Sequence, residues 1–271
     1  MNAPRLLYCV ALVPVLLAGC GKPSATPHAS QPAASVTSPT TEETSQSPLE
    51  EPPIVAWEKV ESLPKEIAVF DHVFWEPGDT DSLRRLIREE KIAANRSVLE
   101  IGTGSGIVAL CCLQAGARDV VASDINPWAI RNVTYNAKLL KVADRLSVRQ
   151  VAQNRSNAWS VIGDEERFDL IISNPPWEPG KPTKVEDFAF YDPDFRLMKS
   201  IVDGMDDHLH EGGRVLLAYG CVSAIRHLQS LADERDIQTI VHDDRNLDEL
   251  PELFLPGMLI ELQLKVEEEN Q

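Results

Sequence analysis

From Trp57 onward the chain alternates short β-branched runs with helical patterns, and that alternation admits few architectures. Strand-like runs fall at 97–101, 120–125, 146–151, 168–173, 214–219, 237–242 and 258–266, with helical patterns at 106–116, 127–141, 194–210 and 222–235 between most of them. Strands separated by helices over short connections pair in parallel and are covered on both faces. Between the last two runs stands a Pro- and Asp-containing loop, 245–257, in place of a helix, which gives an antiparallel finish. The expected fold class is α/β: a doubly wound, mainly parallel seven-stranded sheet with an antiparallel last strand, preceded by a helix near 80–91. No internal repeat is visible.

The 53 residues before this domain are of two other kinds. Residues 1–20 carry Arg5, an apolar run from Leu6 to Gly19 and then Cys20 after Leu17-Ala18-Gly19. The run is too short to span a bilayer as a mature helix. It resembles a bacterial lipoprotein signal, in which small residues precede a cysteine that takes lipid. Residues 21–53 contain seven Pro, six Ser, five Thr and four Ala. Such a segment buries too little apolar surface to offset its ordering entropy, so a disordered tether is expected. The predicted organisation is therefore a signal-like segment at 1–20, a tether at 21–53 and a domain at 54–271. Lipidation at Cys20 would make the protein a membrane-attached lipoprotein. A start placed too far upstream would leave it cytoplasmic, although no Met occurs between Met1 and Met198.

Charge and cysteine usage remove several function classes. The chain has 43% apolar residues, enough for a core, and a net charge of −16. Residues 54–271 alone hold 24 basic and 38 acidic residues, a charge of −14, the wrong sign for a general nucleic-acid binder. The five cysteines form no CxxC or CxxH pair, and of six histidines only His208 and His210 lie close together. Neither a disulfide scaffold nor a metal site is expected.

The chemistry is concentrated in two strand ends. The first predicted strand runs into Glu100-Ile101-Gly102-Thr103-Gly104-Ser105-Gly106 and then a helix. Glycines there let a ligand approach backbone N–H groups at a helix N-terminus. A dinucleotide fingerprint would need glycine where Ile107 stands. Asp124, at the end of the second strand, can accept both ribose hydroxyls of a nucleoside. The competing role, capping the next helix, falls better to Asn126 just before Pro127. The fourth strand ends in Asn174-Pro175-Pro176-Trp177, where the prolines stop the ladder at the sheet's carboxyl edge. The Asn174 side-chain oxygen and the Pro175 carbonyl can accept both hydrogens of an NH2 group, and Trp177 offers a face for a planar acceptor.

The glycine loop resembles the first motif of the Rossmann-like S-adenosylmethionine-dependent methyltransferases, and Asn-Pro-Pro-Trp resembles their motif for methylating nitrogens on planar groups. His72–Asp81, with Pro77, Asp79 and Thr80, is similar to a loop of the release-factor glutamine N5-methyltransferases, as is Asn136-Ala137. The resemblance covers roughly residues 70–220 and implies S-adenosylmethionine as cofactor. It implies cofactor contacts at Glu100, Gly102, Thr103, Gly104, Gly106, Asp124, Ile125 and Asn174, with Glu100 toward the methionine end. Many relatives bind adenine through an Asp after the third strand. Here there is no acid, and Gln153 or Asn154 could supply a neutral acceptor, Asn154 being counted with the implied cofactor contacts. The implied activity is N-methylation of a planar amide or amino nitrogen, a protein glutamine first, with Asn174, Pro175 and Trp177 as catalytic residues. Methylation of an RNA or DNA base, or a non-catalytic envelope protein on the same fold, are the alternatives. The acidic domain favours a protein partner over nucleic acid.

Overall fold

The structure is a computed structural model and describes residues 52–178 and 180–265. The signal-like segment, Cys20, almost all of the expected tether and residues 266–271 lie outside the described residues. The first described elements, β1 (Ile54–Glu58) and β2 (Ile67–Phe70), form an antiparallel hairpin. Helix α1 (Asp81–Glu89) leads into β3 (Ser97–Ile101), α2 (Ile107–Gln114), β4 (Asp119–Asp124), α3 (Pro127–Leu139) and β5 (Leu146–Gln150). The second half runs β6 (Phe168–Ser173), α4 (Arg196–His208), β7 (Leu209–Cys221), α5 (Val222–Asp233), β8 (Ile237–Val241) and β9 (Leu253–Leu264).

Seven strands form one sheet in the order β5-β4-β3-β6-β7-β9-β8. The pairs β5–β4, β4–β3, β3–β6 and β6–β7 are parallel, whereas β9 is antiparallel to both β7 and β8. This is the expected doubly wound sheet, and its direction of winding reverses between β3 and β6. In open α/β sheets that crevice, beyond the strands' carboxyl ends, is where ligands bind.

Alternate side chains of the central strands feed two cores. Leu99, Ile171 and Leu217 join α4 and α5 on one face. Val98, Leu170, Ile172 and Leu216 meet α1 and α2 on the other. Every residue of β3 is buried, the pattern of a parallel strand covered twice. Between β5 and β6 the described chain has no α-helix. Ala158 and Ile162 pack into the first core instead, and Trp159 stacks on His208 with centroids 4.4 Å apart while its indole N–H donates to Ser200 O.

The hairpin is docked by side chains. Asn132 and Asn136 lie one turn apart on the buried face of α3. Asn136 Oδ1 accepts from Ala68 N–H at 2.9 Å and its Nδ2 donates to Ala68 O at 2.9 Å. Asn132 Oδ1 accepts from Phe70 N–H at 3.0 Å and its Nδ2 donates to Ala68 O at 2.8 Å. Two amides thus satisfy β2 where a third strand would otherwise pair. Replacing Asn136 strands a buried N–H, so Asn136→Ala is expected to lower unfolding stability by about 1–3 kcal/mol. Equilibrium urea unfolding checks this; an unchanged midpoint would remove the clamp from the account.

Candidate active site

The carboxyl ends of β3, β4 and β6 open on a cavity of about 610 Å³, within the range of small-molecule and cofactor sites. Its floor is the turn after β3. Gly102 takes φ +76°, and a Cβ built on it would meet nothing within 4 Å, so the missing side chain leaves open space for a ligand. Gly106 has another task. Its φ is +84°, and a Cβ there would stand 2.4 Å from Val133 Cγ2, so this glycine lets α3 approach the start of α2. Gly102, Thr103 and Gly104 line the cavity, whereas Gly106 is not among the lining residues.

Two acids rise behind that turn. Glu100 is 4% exposed, and its Oε2 accepts from Thr103 Oγ1 at 2.5 Å and from Ala109 N–H at 3.1 Å. The buried strand carboxyl therefore has partners, which offset part of its burial cost. Burial still pushes it up to about 8, against those hydrogen bonds, and the charge of Asp124 adds to the rise. Asp124 Oδ2 accepts from Gly104 N–H at 2.8 Å and Oδ1 from Asn126 N–H at 2.8 Å. Burial raises Asp124 as well. Asn126 caps α3, accepting from Trp128 N–H at 3.0 Å, which assigns the cap as the sequence suggested. Asp124 is nevertheless bound to backbone on both oxygens, so it shapes the turn in addition to facing the cavity with Ile125.

At the end of β6, Asn174 and Pro175 line the cavity. Asn174 Nδ2 donates to Asp79 Oδ2 at 3.4 Å, while its Oδ1 is buried without a hydrogen-bond partner. Trp177 is placed differently from the expected stacking position. It is outside the cavity lining, packed near Tyr219 with centroids 6.4 Å apart and against Gly220, where a Cβ would lie 3.2 Å from its ring. Asn154 is also outside the lining, on an exposed 3-10 turn spanning Gln153–Arg155, while Gln153 and Asn157 face the cavity.

Two segments cover the site. His72 has φ +64°, its carbonyl accepts from Asn126 Nδ2 at 2.7 Å, and its Nδ1 stands 2.9 Å from Glu186 Oε1. Phe74 meets Phe190 edge-to-face with centroids 5.5 Å apart. The segment around 185–197 lines the outer cavity through Phe188, Tyr191 and Asp192, which the sequence did not single out. Acidic and aromatic residues just after the Pro-Pro stop were the available signal. Among the described residues no cluster of His, Cys, Asp and Glu is arranged to hold a metal ion.

Residues 81–175 match the family described as Ribosomal protein L11 methyltransferase (PrmA). The chain is 29% identical over 189 residues to the release factor glutamine methyltransferase of Lactococcus lactis subsp. lactis, covering 63% of this chain and 64% of that one. It is 32% identical over 141 residues to that of Cereibacter sphaeroides, covering 46% of each. The chain thus spans less than two thirds of the length of these curated relatives. In fold it is similar to the ribosomal protein L11 methylase of Lactobacillus delbrueckii subsp. bulgaricus, with a TM-score of 0.53 at 18% identity over 72% of this chain and 82% of that one.

These relatives correct one expectation from the N-terminus. They are named for release factors and a ribosomal protein, which belong to translation, and not for a lipid-anchored envelope role. Among the described residues no helix is long and apolar enough to cross a membrane. Localisation as a membrane-attached lipoprotein is therefore set aside; the apolar run that suggested it lies outside the described residues.

The raised Glu100 links stability to pH. A carboxyl raised from its ordinary value of 4.5 to about 8 contributes stability that is fully present below 4.5 and is lost as pH rises through 8. Without added nucleoside, the thermal midpoint is expected to fall between pH 5 and pH 8.5, and Glu100→Gln to flatten that fall; equal slopes in the two proteins would refute it. Across 81–175 and in the named relatives the chain is similar to methyltransferases, and the glycine turn and its two acids line the cavity at the matched strand ends.

Proposed function

We propose that the chain methylates a carboxamide nitrogen of a protein, a glutamine side chain first, using S-adenosylmethionine. The observation that carries this reading is the buried, unpartnered Oδ1 of Asn174 at the cavity. A buried acceptor without a donor costs roughly 1–3 kcal/mol, a cost that a substrate N–H would relieve. The relatives named as release factor glutamine methyltransferases support the same acceptor class.

Gly102, Gly104, Glu100 and Asp124 would hold the cofactor: the turn by its open backbone, Glu100 by its charge toward the cationic methionine end, Asp124 by accepting ribose hydroxyls. Gln153 is the neutral group at the cavity that would meet adenine, in preference to Asn154. When bound, S-adenosylmethionine supplies an electrophilic methyl group; the N–C bond forms as the S–C bond breaks, leaving a neutral thioether, and the nitrogen releases one proton to water. Asn174 Oδ1 and the Pro175 carbonyl would accept the two N–H groups and aim the nitrogen for in-line attack. Such positioning accounts for a large part of the acceleration in bimolecular transfers. A charge of −14 over residues 54–271 supports a protein acceptor over a base in RNA or DNA.

Methyl transfer from tritiated S-adenosylmethionine to bacterial release factor, ribosomal protein L11 and ribosomal RNA tests the reading. N5-methylglutamine in a protein acceptor is the expected product; label confined to RNA would overturn it. Asn174→Ala is expected to lower turnover on the order of 10²-fold while cofactor affinity stays within a few-fold. Asp124→Asn is expected to weaken cofactor binding about tenfold or more in calorimetry, because charged acceptors make the stronger hydrogen bonds. Unchanged affinity would leave Asp124 as a residue of the turn alone.

A further inference from the structure

We propose that Asp79 is a positioning residue: it fixes the side-chain amide of Asn174 so that the oxygen, not the nitrogen, is presented to the acceptor. The inference rests on the amide-methylation reading and assigns a residue behind the site. Asp79 is 3% exposed and is not part of the cavity lining, whereas Asn174 is. It stands on the far side of that amide, with Asn174 Nδ2 donating to Asp79 Oδ2.

An asparagine amide has two ends of nearly equal shape and opposite hydrogen-bonding character. A carboxylate only accepts, so it binds the NH2 end and turns the oxygen away. The oxygen turned away here is the buried Oδ1 that lacks a partner. A neutral group at position 79 could donate as well as accept, and either end of Asn174 could then face it. The acceptor geometry thus depends on Asp79 being charged.

The turn holding Asp79 is braced on each side. Asp79 N–H donates to Glu76 O at 3.2 Å, and Arg84 from α1 donates to Pro77 O at 2.7 Å and to Thr80 Oγ1 at 3.3 Å. A Cβ at Gly257 of β9 would lie 2.8 Å from Asp79 O and 3.4 Å from Tyr219 O of β7, so backbone meets the turn there. The charged groups about it are Glu76 on its own turn and Arg84 on α1; Asn174, just after β6, is neutral. Burial pushes the carboxyl up to about 6, against the Asn174 hydrogen bond, and Glu76 raises it further. The charged form therefore prevails at neutral pH and gives way below about 6.

The test uses the full chain labelled with 15N-asparagine, the Asn174 NH2 signal being assigned by its loss in Asn174→Ala. That signal is expected to shift with pH around a midpoint near 6, and to be pH-independent in the isosteric Asp79→Asn. A signal that does not move between pH 5 and 8 in the parent, or that titrates equally in the variant, would overturn the proposal. The parent titration decides alone if the variant does not fold. With release factor as acceptor, Asp79→Asn is expected to lower kcat at least tenfold at pH 7.5, with KM and cofactor affinity within threefold, and to lose the acidic limb of the parent's pH profile. A variant with the parent's kcat and profile overturns it too. If the parent methylates neither protein acceptor, the proposed function fails, and the amide titration still decides the role of Asp79.

Discussion

The carboxylate of Asp124 ties together the pieces on which the site depends. One oxygen holds Gly104 N–H in the turn after β3, and the other holds Asn126 N–H at the start of α3. Asn126 then grips His72 O, fixing the exit of the N-terminal hairpin in a left-handed conformation that costs a non-glycine residue energy. Floor, helix cap and covering segment therefore share one charged centre. Asn132 and Asn136, further along the same helix, anchor the hairpin that carries that segment. Helix α3 is in effect the frame of the cavity.

Three acids, Glu100, Asp124 and Asp79, are held in or behind one cavity, and burial raises all three. Each has hydrogen-bond donors, yet in no case do these outweigh desolvation. Such an arrangement suits a cationic ligand, whose positive charge lowers these groups again. By contrast, Glu261 in β9 is just as buried but is bound by Arg214 through both oxygens at 2.6 Å, and it is lowered. Glu261 is thus paired with a cation of the protein's own, whereas among the described residues none of the three acids around the cavity is held in an ion pair.

Most of the sheet was legible in the sequence because parallel strands buried on both faces leave unbroken apolar runs, and β3, β6 and the centre of β7 have them. Asn126 as the α3 cap was legible for a similarly local reason, standing just before Pro127. The hairpin was not, since Ile54–Glu58 and Ile67–Phe70 are short and the second of them is satisfied by amides more than 60 residues away. Gly106 looked like part of a ligand-binding motif, but its neighbour is Val133, a contact set by helix packing. The partnership of Asp79 with Asn174 spans 95 residues and no local pattern announces it.

Trp177 shows where motif reading reaches its limit. The residue type fits a stacking platform, and its position after two prolines puts it at the right edge of the sheet. Yet Tyr219 and Gly220 of β7 receive the ring, and the indole helps wall the core beside the cavity. Aromatic residues at the cavity itself come from the covering segments: Phe74 and Trp75 on one side, Phe188 and Tyr191 on the other. Those segments are joined by Phe74 on Phe190 and by His72 beside Glu186. The inner and outer parts of the cavity are thereby built from different materials: the first from strand ends fixed by the sheet's hydrogen bonds, the second from loops held by a few side-chain contacts. A sheet edge tolerates little displacement, whereas loops of this kind can change sequence without disturbing the core. Substitutions within residues 72–77 and 181–197 can therefore reshape the outer cavity while the strand ends stay in place.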